Sequence, residues 1–497
     1  MSIVGNRVTA EWVSKSKLLS DPKTSSVLYG SVAHDQEGNI YSIGTIVGEA
    51  KFGQFTLNKT VESPFITKQN QCGEFIYVVS GNVTGGTGTQ VSCNKLKHIE
   101  DQLFSANSLK ATTAIPQAFG DTIIADDDGL YIAGTFMGNL EFDDEKLSNQ
   151  TGGFTLFLAK LNKCDGKAIW VQATSNVSGS LGVNAMSDDD KSLYLTGGFS
   201  GKINFGITTI DSIATNLFVT KVNKLRGEFL WTKASSGTLS FALGQGVSVK
   251  DNSCCECCDN GLVYVVGFFS GVVIFGTINL ESISQDAFVV MIDSSTGNWI
   301  KAIQTKASRG SAVQGRAIVA NRSIYITGFF SGDVVFGTTP IKSPPNIYSL
   351  TFISKLTEDL EWEKTVIGDA KDITGIRNFN SCFSIASDDE YVYVTGTFLG
   401  YSKFGHIDPI ISDPNRAFFL VQLSRKLNFV AVFQSENLNL DGANNFPATM
   451  GLLVRDNIVT CAGIFTGSFR IGQLLVESNT TITNGGNVWI AQLCISD

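Results

Sequence analysis

Residues 251–261, DNSCCECCDNG, place Cys254, Cys255, Cys257 and Cys258 within five positions, four of the ten cysteines in a chain of 497 residues. Thiolates at that density suit a thiophilic ion such as zinc or copper(I). A structural zinc site usually pairs two separated C-x2-C knuckles, however, because vicinal cysteines point apart. A second loop, such as the turn carrying Cys164, would have to complete the shell. Three readings therefore stay open for Cys254, Cys255, Cys257 and Cys258: an exposed turn with free or oxidised thiols, local or intermolecular disulfides, and a metal site. No other cofactor is indicated. The remaining cysteines, Cys72, Cys93, Cys164, Cys382, Cys461 and Cys494, are scattered. That spacing suits a reducing compartment and a core that treats Cys as a small apolar residue.

Other reactive side chains form no constellation. His34, His98 and His406 are the only histidines and stand in unrelated contexts, so neither a metal centre nor a general base is indicated. GFFSG recurs at 267–271 and 328–332 but lacks the G-x-S-x-G spacing of a nucleophile elbow. Carboxylates cluster in HDQEGN (34–39), ADDDG (125–129), SDDDKS (187–192) and SDDEY (387–391). These stretches are too short to wrap a calcium ion, and Asp with Gly is what a tight hairpin turn demands. The glycine run within 81–120 lacks the GK[ST] ending of a phosphate loop. The chain is expected not to be an enzyme.

A formal charge of −9 and a pI of about 5.0 set the molecule against nucleic acid and anionic membrane surfaces. The first residues, MSIVGNRVTAEWVSKSKLLS, show no secretory pattern, and the longest apolar stretch is broken by glycines and too short to span a bilayer. The expected location is cytoplasm or a virion, with no membrane partner.

The elements that must carry these residues follow from a repeat. A glycine recurs as Gly44, Gly134, Gly197, Gly267, Gly328, Gly396 and Gly463, with a second glycine four positions later in every copy. Three positions before it stands Tyr in six copies and Thr460 in the last; eight after it stands Phe in six copies and Ile471 in the last. The steps between anchors, 90, 63, 70, 61, 68 and 67 residues, suit a four-stranded antiparallel blade with generous loops. The expected fold is all-β: a seven-bladed β-propeller with four antiparallel strands per blade. The last copy stops after its third strand, while RVTAEWVSKS (7–16) carries the Trp12 that matches the fourth strands of other copies. That N-terminal strand is expected to complete the last blade and close the ring. The expected boundaries, within one domain over 1–497, are 30–80, 120–174, 182–236, 246–304, 315–366, 381–435 and 451–497, with 7–16 in the last blade and 81–119 an insertion.

The motifs YITGFFSGDVVFG (325–337) and EFLWTKASS (228–236) resemble the SBBP-type propeller repeats of bacteria over nearly the whole chain, from Trp12 to Cys494. The chain also resembles propeller proteins encoded by giant DNA viruses of amoebae. The resemblance implies the fold and says little about chemistry.

In such blades the turns after the first and third strands lie on one face, so the acidic stretches share a face suited to a basic partner. The cysteine cluster lies there too: 21 residues separate Gly246 from Gly267, against 14 from Gly30 to Gly44. The 81–119 insertion lies opposite. Recurrent Phe residues are read as packing, and Asn184 and Arg316 as lining the axis without implying a ligand. The expected function is a non-enzymatic, monomeric protein-interaction scaffold, and the likeness to viral propellers implies a viral structural or virion-associated one. The alternative is a carbohydrate-binding or hydrolytic propeller with its ligand in the axial funnel.

Overall fold

The computed structural model describes residues 7–19, 25–84, 116–237, 240–250, 261–372, 378–438, 447–477 and 486–496. Every regular element among them is a β-strand. The recurring unit is an antiparallel meander, as in Ser175–Asp188, Ser192–Phe205, Thr208–Asn223 and Phe229–Ala234, which pair in chain order. The first strands of successive meanders are Ser26–His34, Gln117–Ala125, Ser175–Asp188, Phe241–Lys250, Ala312–Ala320, Asn378–Ser387 and Ala448–Arg455. Each packs on the next, and the last packs on the first. Meanders set radially about a closed circle of inner strands make a β-propeller.

The repeat's anchor glycine answers a steric demand. A Cβ on Gly328 would lie 1.9 Å from the Gln314 carbonyl oxygen, and one on Gly134 would lie 1.9 Å from that of Phe119. The first and second strands approach too closely there for any side chain. Gly328→Ala is therefore expected to cost about 1–3 kcal/mol, as other insertions into packed interiors do; a denaturant titration checks it.

The second glycine and the following Phe build something that periodicity did not disclose. Gly201, at φ 76°, sits at a register slip in the second strand, and the strand runs on to a hairpin that pairs Phe205 with Thr208. Each such hairpin is gripped by chain leaving the preceding blade: Ser16 pairs with Phe52, Asn82 with Glu141, Ser175 with Asn204, Lys306 with Val335, Gly368 with Phe404 and Glu436 with Arg470, while Ser236 bridges Ile274. These outer brackets fuse neighbouring meanders, so the hydrogen-bonded sheets run across blade boundaries. The recurrent Phe at the hairpin base is buried against a third-strand Phe, with ring centroids 5.4 Å apart for Phe205 and Phe218 and 4.9 Å for Phe336 and Phe352.

The N-terminal strand Arg7–Leu18 pairs antiparallel with Asn487–Ser496, from Arg7 opposite Ser496 to Lys15 opposite Trp489. Its Trp12 follows a rule that operates inside the chain. The Trp170 indole N–H donates to the Lys224 carbonyl in the next blade's turn at 3.3 Å, and Trp231 donates to the Ser294 carbonyl at 3.1 Å. Trp12 donates to the Gln71 carbonyl at 2.7 Å. In each case a positive-φ glycine of that turn, Gly227, Gly297 or Gly73, lies against the indole, where a Cβ would clash. The seam made by the two ends of the chain is thus built like the internal seams.

First strands begin before their glycines: Gly315 lies inside Ala312–Ala320. The reason is a bulge. The ladder skips a residue on the inner part of each first strand, at Gly30, Asp121, Asn184, Gln245, Arg316, Phe383 and Met450, and Ser175–Asp188 has a second skip at Val177. A bulged residue re-aims its side chain. The seven inner ones are at least partly accessible.

Candidate functional site

Cys254, Cys255, Cys257, Cys258 and His98, together with most of the 81–119 insertion, lie outside the described residues. Among the described cysteines, Cys72 and Cys164 are exposed, Cys494 is half-buried, and Cys382 and Cys461 are buried, all as free thiols. Burial pushes Cys382 and Cys461 up to about 12, so neither is a thiolate nucleophile at neutral pH. Among the described residues no group of three His, Cys, Asp or Glu side chains is placed to hold a metal ion.

The acidic turns carry an internal structural logic. Asp189 accepts the Lys191 and Ser192 amides on one carboxylate oxygen and the Tyr194 hydroxyl, at 2.7 Å, on the other. Asp388 does the same for Glu390, Tyr391 and Tyr393. Asp35 takes the Asn39 amide and the Tyr41 hydroxyl. In these three turns one Asp closes the hairpin and satisfies the second-strand Tyr buried beneath it; in the fourth, Asp126 closes the hairpin and takes Lys224, not Tyr131. The other acids, among them Asp128, Asp190 and Glu390, are exposed. Over the described first-to-second-strand turns and their flanks, twelve carboxylates stand with Lys191, Arg322 and Arg455, and Lys224 from a neighbouring turn pairs with Asp126 and Asp188, so this rim is net negative.

Along the axis, two of the residues singled out by sequence belong to one arc. Asn184 donates to the Gly244 carbonyl at 2.7 Å, and Arg316 donates to Gln245 at 3.1 Å and Gln314 at 2.6 Å. The Arg316 guanidinium also lies 5.6 Å from the Phe268 ring centre and 5.2 Å from that of Phe329. Burial pulls its pKa down to about 10, which leaves it charged at neutral pH. Asp121 is the one carboxylate among the bulged residues.

Sequence reasoning missed a cleft of about 620 Å³ where the last blade meets the first. Its walls include Glu11, Trp12, His34, Glu37, Asp456 and Thr460. Burial, with the Arg455 guanidinium beside it, holds the His34 imidazole below its ordinary value, so the ring is neutral at pH 7. Arg455 itself is turned onto the Asp35 and Gln36 carbonyls. A signal was present: Thr460 is the one departure from Tyr at its place in the repeat.

No protein-family model and no curated protein matches the chain. Among solved structures it is similar to the Dos1 propeller, at 10% identity over 96% of this chain and 94% of that one, with a TM-score of 0.40. It is also similar to the WD40 domain of SCAP from fission yeast, at 11% identity over 99% and 98% of the two chains and a TM-score of 0.30. A third similar structure, the GH43 BlXynB protein from Bacillus licheniformis, gives 8% identity, 97% and 100% coverage and a TM-score of 0.26.

Proposed function

We propose that the meanders are the seven blades of a closed ring, and that this ring is a non-enzymatic scaffold whose acidic rim docks a basic protein partner. The observation that carries this reading is the division of labour in the turns: one Asp holds the hairpin, and further acids stand exposed on the same face. Complementary charge of this kind steers association and selects partners. The repeat motif supports placing the chain with SBBP-type propellers, and its likeness to viral propellers supports a structural, virion-associated role. We read Cys254, Cys255, Cys257 and Cys258 as an accessory of the same rim, which the fold does not need.

A ligand in the axial funnel is less favoured. Glycoside hydrolysis ordinarily uses two carboxyl groups, whereas the bulged axial residues include only Asp121, and Arg316 is already held by two Gln amides and two Phe rings.

Calorimetry with lysine-rich and glutamate-rich dodecapeptides tests the reading. Binding of the basic peptide is expected, weakening as salt is raised and falling at least tenfold when Asp128, Asp190 and Glu390 are replaced by Asn, Asn and Gln. Preference for the acidic peptide, or turnover of a glycoside or ester, would overturn it.

A further inference from the structure

The turn-side row of the first three blades follows a cross-strand pattern that the Met291 and Gln422 rows do not share. Tyr41, Lys68 and Tyr77 lie opposite one another across three strands, as do Tyr131, Lys160 and Trp170, and Tyr194, Lys221 and Trp231. In each, the ammonium sits over the Tyr ring, 5.4, 5.2 and 5.3 Å from its centre. The last blade places Thr460, Gln492 and Trp12 in that row. It therefore has the outer aromatic and neither the Tyr ring nor the cation.

At the Trp170 seam a second internal cation stands, which the Trp231 seam, with Ser294, and the Trp12 seam lack. The turn residue whose carbonyl receives the Trp170 indole is Lys224, and its ammonium reaches over Tyr131 to bind Asp126 at 2.8 Å and Asp188 at 2.6 Å. The residue that receives Trp12 is Gln71, which is uncharged. Where the Trp170 seam holds ring and cation, this one holds the cleft of about 620 Å³, with Thr460, Gln492 and Trp12 among its walls and Glu11, Glu37 and Asp456 beside them. That volume lies within the range of ligand pockets. With His34 neutral, Arg455 directs its guanidinium at two backbone carbonyls and pairs with Asp456 at 3.3 Å, and Glu11 and Glu37 leave the cleft net negative.

We propose that this cleft receives one lysine or arginine side chain of the partner, laid against Trp12 and countered by Glu11, Glu37 and Asp456, in the place that an internal lysine takes in the first three blades. Cation–π contact and carboxylate pairing are the two attractions such a side chain seeks. The inference rests on the reading of the rim as a docking surface for a basic protein and names the point of entry.

The test uses the full chain, the same lysine-rich dodecapeptide and its arginine counterpart. Thr460→Tyr with Gln492→Lys restores the row found in three other blades, so the double variant is expected to melt no lower than the parent. Its affinity for either peptide is expected to fall at least tenfold. Should the filled variant melt lower, the exposed changes Glu11→Gln, Glu37→Gln and Asp456→Asn carry the test without altering packing, with an expected loss of at least fivefold. Equal affinity in the parent and in these variants would overturn the cleft as receptor while leaving the acidic rim standing. Failure of the parent to bind either peptide at low salt would overturn the rim reading and the cleft with it.

Discussion

Deletion of residues 1–18 is expected to abolish cooperative folding. The deletion strips the outer strand from Asn487–Ser496 along the ladder that runs from Arg7 to Lys15, and with it the Trp12 clasp onto Gln71 and the bracket of Ser16 and Leu18 on the first blade's hairpin. It also removes the buried Leu18 and Ser16. Losing a large aromatic from a packed site alone costs about 3–5 kcal/mol, and a domain holds only about 5–15 kcal/mol in total. The exposed edge would also invite association. Thermal unfolding followed by circular dichroism, with light scattering for aggregation, checks this; a truncated protein that melts where the parent does would refute closure of the ring by its two ends. Trp12→Phe, which keeps an aromatic ring but loses the fused pyrrole and its N–H, should show a much smaller loss.

Lys224→Met is the second large effect, at about 3–5 kcal/mol, the usual result of removing one partner of a buried ion pair. The Lys224 side chain is only 6% exposed and joins Asp126 of one blade to Asp188 of the next. Burial works against its charge, but Asp188 and Asp126 outweigh that and raise its pKa, so it is an ammonium at any physiological pH. Asp188 is raised as well, first by burial, with Asp126 and Asp189 adding to the effect against the pull of Lys224. An acid whose folded pKa lies above its unfolded value binds more protons folded, so its ionisation destabilises the fold as pH rises through that interval. Without the lysine this penalty grows. The deficit of Lys224→Met is accordingly expected to be largest near neutral pH and to shrink as pH falls towards the carboxylate range, a trend that denaturant titrations at several pH values will show or refute.

The sequence by itself determined the β-class, the repeat and the pairing of the N-terminal strand with the last one. All three are properties of periodic local constraint: a glycine where two strands touch, an aromatic buried once per unit, an Asp that closes a hairpin. Such demands recur at every blade and so leave a mark at fixed spacing. The hairpin reading of the acidic stretches and the packing reading of the Phe residues survive for the same reason, since both are local or repeated.

What only the tertiary structure decided lies between blades. The outer brackets join strands from different units, and no period within one unit encodes which neighbour a hairpin will meet. The bulge that lets Asn184, Gln245 and Arg316 join one axial arc is a register slip of a single residue, which no alternation of apolar and polar residues reports. The cleft is the sharpest case. Thr460 and Gln492 are visible in the sequence as departures, but a departure becomes a cavity only when the row it belongs to is laid against Trp12 from the other end of the chain. Burial of Lys224 between two blades likewise depends on carboxylates 36 and 98 positions away. Distance in space sets these energies, and the ring closure that sets the distance is a property of the whole chain.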